Sequence, residues 1–160
     1  MKVHFKESQK FTQLWILVPI ILAGLIPLFG LYKQLVLGGS FGNKPMSNTG
    51  LVIFLLFELA LLLLFWKMRL DTEIDERGIR VRFFPFVNKH IDWRSIKKAE
   101  MINYGFVGGW GIRLGTKHGT VYNISGNKGL AIELEDGKKI CIGTQKEMEM
   151  EEVLKELGRE

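Results

Sequence analysis

Residues 14–31 read LWILVPIILAGLIPLFGL, eighteen residues without a charged side chain. As a helix rising about 1.5 Å per residue they extend about 27 Å, close to the ~30 Å hydrocarbon core of a bilayer. Pro19 and Pro27 break helices in soluble proteins but are tolerated in membrane spans. A secretory signal peptide is the alternative, but the apolar run is longer than a signal's and no small-residue cleavage site follows it. The segment is therefore predicted to be a retained membrane span.

A second apolar segment follows at residues 50–66, GLVIFLLFELALLLLFW, in which Glu58 is the only charged residue. The connector at residues 38–50 is rich in Gly, Ser, Asn and Pro, which is typical of turns. Two spans joined so closely predict an antiparallel helical hairpin over residues 11–68. Residues 1–10 are then expected to be an N-terminal tail.

Basic residues flank the two spans but are scarce in the connector, which carries only Lys44. Cytoplasmic flanks of membrane spans are enriched in Lys and Arg. The relevant residues are Lys2, Lys6 and Lys10 before the first span, and Lys67 and Arg69 after the second. This bias predicts an integral protein of the plasma or inner membrane, with the lipid bilayer as a partner and both termini in the cytoplasm.

Glu58 stands out, since a charged residue at the centre of a bilayer costs about 2.5–3.5 kcal/mol and marks a functional candidate. In a structural interpretation, a protonated Glu58 donates to a backbone carbonyl of the first span or contacts a partner chain. In the other interpretation, Glu58 handles protons or ions.

From Leu70 onward, apolar residues alternate with polar ones, the pattern of half-buried strands. A hairpin is predicted at residues 70–75 and 79–83, and a third strand at 89–104, interrupted at 92–96. Further strands are expected at 110–114, 120–124, 130–134 and 138–143. Thr144 and Glu147 have the spacing of a capping box, and an apolar helical stripe follows at Met150, Val153, Leu154 and Leu157. Residues 69–160 are therefore predicted to form about seven antiparallel strands, in a curved sheet or partly open barrel capped by a C-terminal helix.

This arrangement resembles the pleckstrin-homology (PH) fold, an α+β fold. The stretches that carry the resemblance are EIDERGI at 73–79, IDWRSI at 91–96, GGWGIR at 108–113, YNISGNKGL at 122–130 and GKKICIGTQ at 137–145. They are similar to bacterial PH-like domains attached to two-span hairpins, in a family of small bacterial and archaeal membrane proteins of unknown function. The resemblance covers nearly the whole chain and implies a fold and a location, without an activity.

The glycine-rich stretch 105–111 does not fit a phosphate-binding loop, because a strand rather than a helix is expected after it. Structural turns are one interpretation of this region. The other is a ligand or partner groove, formed by an aromatic floor and a polar rim. Its candidate residues are Trp110, Arg113, Tyr122, Asn123, Asn127 and Lys128.

Four residues are candidates for contact with the membrane surface: Arg80, Arg82, Phe84 and Phe86. Arginines near a span attract anionic lipid headgroups, and the aromatic rings either enter the interface or fill the barrel. PH domains bind phosphoinositides with basic residues around the first hairpin loop. The predicted first turn here, residues 75–78, is largely acidic, so no phosphoinositide site is expected.

Other functions find little support. The net charge of +5 is not concentrated in a basic stripe, so no nucleic-acid partner is expected. Cys141 is alone and flanked by isoleucines, which indicates a buried strand residue. His90, Asp92 and His118 lack a nucleophile or metal-ligand spacing around them, and they are interpreted as solvated surface residues. We therefore expect no enzyme activity, no metal and no cofactor.

The sequence thus predicts a two-span hairpin that tethers a cytoplasmic PH-like domain, acting as an interaction or scaffold module for a protein partner or a second copy of the chain. The alternative is an accessory subunit of a transport or ion-handling membrane complex that uses Glu58.

Overall fold

The computed structural model describes residues 2–159, and the chain divides into two compact units. One unit is the segment Phe11–Lys67, and the other combines Met1–Lys10 with Met68–Glu160. Met1 and Glu160, which end two of the predicted segments, lie outside the described residues. The main departure from prediction is that the first ten residues belong with the C-terminal unit.

The helical unit contains two long apolar helices, α1 (Leu14–Leu35) and α2 (Asn48–Lys67). Their mean hydropathies are 2.5 and 2.4, and both are long and apolar enough to cross a membrane. Each is a few residues longer than the predicted span. The two helices come close at Gly30, where a Cβ atom would lie 3.2 Å from Cδ1 of Leu51.

Residues 3–10, predicted to be a tail, form strand β1 (Val3–Lys10). It pairs antiparallel with β2 (Arg69–Asp75), and Lys10 is the register partner of Arg69. The residues of β1 alternate between buried and exposed, but two of its buried positions are Glu7 and Gln9. Polar residues on the inward face conceal the hydrophobic alternation by which a strand is recognised.

Sheet A is a four-stranded antiparallel meander in the order β1-β2-β3-β4, with β3 at Gly78–Phe84 and β4 at Val87–Asp92. The predicted hairpin of β2 and β3 is confirmed, with Ile74 opposite Ile79. The inward side chains of this pair, among them Leu70, Ile74 and Val81, are buried.

Sheet B has five strands in the order β5-β8-β9-β7-β6. Their bounds are β5 (Ile96–Asn103), β6 (Gly111–Thr116), β7 (Gly119–Asn123), β8 (Lys128–Leu134) and β9 (Lys139–Gly143). The prediction of purely antiparallel pairing is wrong, because β7 runs parallel to β9. The β6–β7 hairpin interrupts the connection from β5 to β8 and extends the sheet beyond β9.

The predicted third strand is in fact two strands in different sheets; together with β1, this gives nine strands in the described residues rather than about seven. A 3₁₀ turn at Trp93–Ser95 separates β4 from β5. The Asp92 carboxylate accepts a hydrogen bond from the Arg94 amide (2.9 Å), and the buried Trp93 indole donates to the Asp75 carbonyl (2.9 Å). These two contacts fix the corner at which the chain leaves sheet A. The architecture is therefore two sheets, not a closed barrel.

Helix α3 (Glu147–Glu156) follows β9 and buries Met150, Val153 and Leu154, which confirms the predicted stripe at these positions. The predicted capping box is wrong. The Thr144 hydroxyl instead donates to the Glu7 carboxylate (2.6 Å) and accepts from the Lys146 amide (3.0 Å). Glu147 is bound in an ion pair with Lys128. Both members of the expected box are thus engaged by other residues.

The polar inward residues of β1 hold the end of β9 and the start of the link to α3. The Glu7 carboxylate also accepts from the Gln145 amide (2.9 Å), and the Gln9 side chain donates to the Gly143 carbonyl (2.8 Å). A buried carboxylate without its donors is strongly destabilising, so these contacts make β1 an integral part of the domain.

Cys141 on β9 is fully buried, as predicted, and burial raises the pKa of its thiol to about 12. The thiolate is the reactive form, so alkylation of Cys141 reports unfolding of the domain.

Replacing residues 11–68 by Asn-Gly is expected to give a folded domain without the helical hairpin. Asn-Gly is the preferred two-residue turn between antiparallel strands, and Lys10 and Arg69 are already register partners. Residues 69–160 alone are expected to unfold readily, because they lack β1. Iodoacetamide is expected to label Cys141 slowly in the chain joined by Asn-Gly and fast in residues 69–160 alone. Equal labelling rates in the two proteins would contradict the role assigned to β1.

Candidate functional site

The predicted aromatic groove corresponds to a cavity of about 330 Å³ in the domain that contains the two sheets. It lies between the loop that follows β5 and the loop that precedes β8. Three of the six predicted residues line it: Trp110, Asn123 and Asn127. The remaining walls are mainly glycine backbone and the side chains of Phe106 and Val107.

Asn123 and Tyr104, both buried, tie the two loops of the cavity together. The Asn123 amide donates to the Gly109 carbonyl (3.4 Å) and to the Tyr104 hydroxyl (3.5 Å), which itself donates to the Gly126 carbonyl (3.2 Å). Burial raises the pKa of Tyr104, so its hydroxyl stays a neutral donor. The cavity therefore has a floor of fixed hydrogen bonds beneath its aromatic wall.

The other three predicted residues lie elsewhere or act indirectly. Arg113 on β6 donates through Nη2 to the Trp110 carbonyl (2.9 Å), so it supports the loop. Tyr122 is buried in the core between β6 and β9, and Lys128 pairs with Glu147 of α3. Neither lines the cavity.

Phe106 belongs to the cavity and was not predicted. Its ring is 85% exposed, the most exposed of the large apolar side chains in the described residues. The available signal was an aromatic residue within a run of glycines, at residues 105–109. The glycines of this stretch adopt backbone that only glycine favours, with φ of +84° at Gly108 and +118° at Gly109, and strand β6 follows, as expected.

The predicted membrane-surface residues lie on β3 and in the turn after it. Arg69 pairs in register with Phe84 as well as with Lys10, so this turn is at the end of sheet A where the chain leaves for α1 and returns from α2. The guanidinium groups of Arg82 and Arg69 lie 5.3 Å and 5.9 Å from the centre of the Phe84 ring. Phe86, at the tip, is 59% exposed.

Arg80 differs from Arg82 in its environment. Its Nη1 atom lies 3.7 Å from Oε2 of Glu73, its register partner on β2. Arg80 is also four residues from Phe84, farther from the end of the sheet. The basic and aromatic patch at this end therefore consists of Arg69, Arg82, Phe84 and Phe86, which we call the strand-end patch.

Glu58 is only 7% exposed within the helical unit. It faces α1, because a Cβ atom on Gly24 would lie 4.0 Å from its own Cβ. Its Oε2 atom has no hydrogen-bond partner among residues 2–159. The bond expected from a protonated Glu58 to a carbonyl of the first span stays a prediction, and a contact with a partner chain would have to reach a side chain that α1 covers.

His118, predicted to be a solvated surface residue, lines a second cavity of about 280 Å³, whose other walls are residues of β5, β8 and β9 and Lys117. Its Nε2 atom is buried and lacks a hydrogen-bond partner within the described part of the chain. Burial and the nearby charges of Lys117 and Lys139 lower its pKa. The residue as a whole is only partly buried, in a turn where Gly119 lies against the Lys139 carbonyl.

His90 and Asp92 line an open depression beside Arg94. The hydrogen bonds from Arg94 lower the pKa of the Asp92 carboxyl, so Asp92 is held as an ionised partner of Arg94. Within residues 2–159, no group of three His, Cys, Asp or Glu side chains is arranged to hold a metal ion.

Comparisons with protein-family models, with curated proteins and with solved structures find no match for this chain.

The pKa of His118 gives the domain an acid-sensitive component. A histidine whose pKa is lowered by folding binds its proton more readily in the unfolded state, so stability falls as pH drops through about 6.5. His118→Gln is expected to reduce the loss of unfolding free energy between pH 7 and pH 5, measured by denaturant titration. An unchanged pH profile would contradict this assignment.

Proposed function

We propose that the chain is an integral membrane protein that holds a PH-like interaction domain at the cytoplasmic membrane face. The observation that carries the proposal is the position of the hairpin in the chain. It is inserted between β1 and β2, two neighbouring strands of one sheet, with residues 11–13 as the first link and Met68 as the second. A domain attached through two such short links has far less rotational freedom than one on a single flexible tether.

The strand order supports the PH-like part of the proposal. A four-stranded meander is followed by β5, β8 and β9, which form a second meander, and then by α3. With the β6–β7 hairpin treated as an insertion, this is a succession of four strands, three strands and a helix. Seven strands and a C-terminal helix are what the sequence resemblance implies.

The position of β1 also bears on the expectation that the domain has no phosphoinositide site. The acidic turn at residues 75–78 connects the second and third strands, because β1 precedes them. The first connection is the apolar hairpin itself. In the PH domains that the chain resembles, the first loop is where a lipid headgroup binds; here the corresponding connection would attach the domain to the bilayer directly, and no phosphoinositide site is needed.

The strand-end patch is suited to the lipid interface. Aromatic rings settle at the level of the headgroups, and arginines attract anionic lipids. Within the patch, Arg69 already pairs with Asp71 (2.9 Å), so Arg82 is the arginine more available for this contact. The patch lies at the strand ends that continue into the two helices, so insertion of the hairpin would bring it near the headgroups. Contact there would restrain the domain at a third point.

The cavity beside Phe106 and Trp110 is the surface proposed to bind a membrane-bound protein partner. Exposed aromatic residues beside a preformed hollow are typical of the anchor points of interfaces. Membrane tethering raises the effective concentration of such a surface for partners in the same membrane. The module would therefore function with a modest intrinsic affinity.

The orientation can be tested with single engineered thiols, since the native Cys141 is shielded. A membrane-impermeant maleimide applied to intact cells is expected to label Asn43→Cys in the connector but not Asp136→Cys in the exposed β8–β9 turn. After permeabilisation, both are expected to react. Labelling of position 136 in intact cells would contradict the cytoplasmic location.

The partner surface can be tested by photo-crosslinking in native membranes. A photoreactive phenylalanine analogue at position 106 is expected to give a discrete protein adduct, and Trp110→Ala is expected to reduce its yield several-fold. The same analogue at position 136 is the matched exposed control. Indistinguishable adducts at both positions, or none at position 106, would contradict the proposed surface.

A further inference from the structure

Glu58 is the single ionisable side chain in the middle of either apolar helix, and it faces the other helix. No cationic residue is near it along the chain. The charged residue of α1 is Lys33, nine positions from Gly24, and the other charged residue of α2 is Lys67, nine positions from Glu58. Nine helical residues correspond to about 13 Å. An ionised carboxylate at this position would lack a counter-charge within the hairpin.

Pro27 provides a complementary group on α1. Proline has no amide hydrogen, so the carbonyl four residues before it, that of Ala23, loses its helical donor. In a helix this carbonyl points toward residue 27, and Pro27 is one of the two buried residues of α1. The free carbonyl is therefore on the face that meets α2, one residue from Gly24, which is opposite Glu58.

We propose that Glu58 is a proton-binding site within the hairpin, in which its carboxyl group carries a proton and donates it in a hydrogen bond to the Ala23 carbonyl. One proton meets the needs of both groups, an unpartnered carboxyl oxygen and a carbonyl acceptor. A proton occupies almost no space, which suits a side chain that is only 7% exposed. Gly24 allows the Glu58 carboxyl group to approach the Ala23 carbonyl because it places no side chain between the two groups.

Two other ligands fit less well. A metal cation such as sodium needs several oxygen ligands, whereas the apolar segments 14–31 and 50–66 contain no Ser, Thr, Asn or Gln. A second copy of the chain would have to reach a carboxyl group that α1 already covers. The proposal is independent of the role of the sheet domain, and it assigns a chemical property to the helical unit alone.

Infrared spectroscopy of the full-length protein in phosphatidylcholine vesicles at neutral pH tests the assignment. The difference spectrum between wild type and Glu58→Gln is expected to show one protonated-carboxyl C=O band, shifted in D₂O and lost in the variant. Pro27→Ala, which restores an amide donor for Ala23, is expected to shift this band, whereas Pro19→Ala is the matched control and should leave it in place.

Three results would overturn the proposal. The first is a carboxylate band in place of the protonated one. The second is a band that changes when sodium is replaced by choline, which would indicate a metal ligand. The third is a band that depends on the protein-to-lipid ratio, which would indicate a partner chain. Maleimide labelling of the same variants at position 43 shows separately whether the hairpin is still inserted, so loss of the site and loss of the membrane topology are distinguishable.

Discussion

The pairing of Lys10 with Arg69 is the constraint on which the rest of the molecule depends. These residues are adjacent in sheet A but are separated along the chain by both apolar helices. Their register makes the hairpin an insertion between two strands rather than an N-terminal anchor. It also gives the domain two covalent links to the helices, at the end of sheet A where Arg69 pairs in register with Phe84 of the strand-end patch.

Much of the architecture follows from periodicity. The apolar runs, the β2–β3 hairpin, the later strands and the stripe of α3 all have the spacing that their structures require. Two of the predictions fail because a polar residue occupies an inward position for a reason outside its own segment. Glu7 and Gln9 disguise β1, since the groups they bind are more than 130 residues away. The same contact removes Thr144 from the expected capping box, so one long-range interaction accounts for two errors.

The sequence indicated the kinds of residue that form the candidate groove, but not which of the six candidates line it. Sequence places Trp110, Asn123 and Asn127 close to turns, and the structure brings these three together. Tyr122 and Asn123 are neighbours on β7, but only Asn123 lines the cavity, whereas Tyr122 is buried in the core. Glu58 was identifiable from the cost of its charge, but its burial against Gly24 depends on the register between the two helices, which no local pattern encodes.

The insertion of the hairpin between β1 and β2 also dictates an order of assembly. During synthesis β1 leaves the ribosome first and stays unpaired while both apolar segments are made. Its partner β2 is synthesised only after them. If the two helices did not form their hairpin, β1 and β2 would be held apart, and β2 would be left with an open edge of the kind that promotes aggregation. Completion of sheet A therefore depends on the helices that separate its first two strands, a consequence of the connectivity of the polypeptide itself.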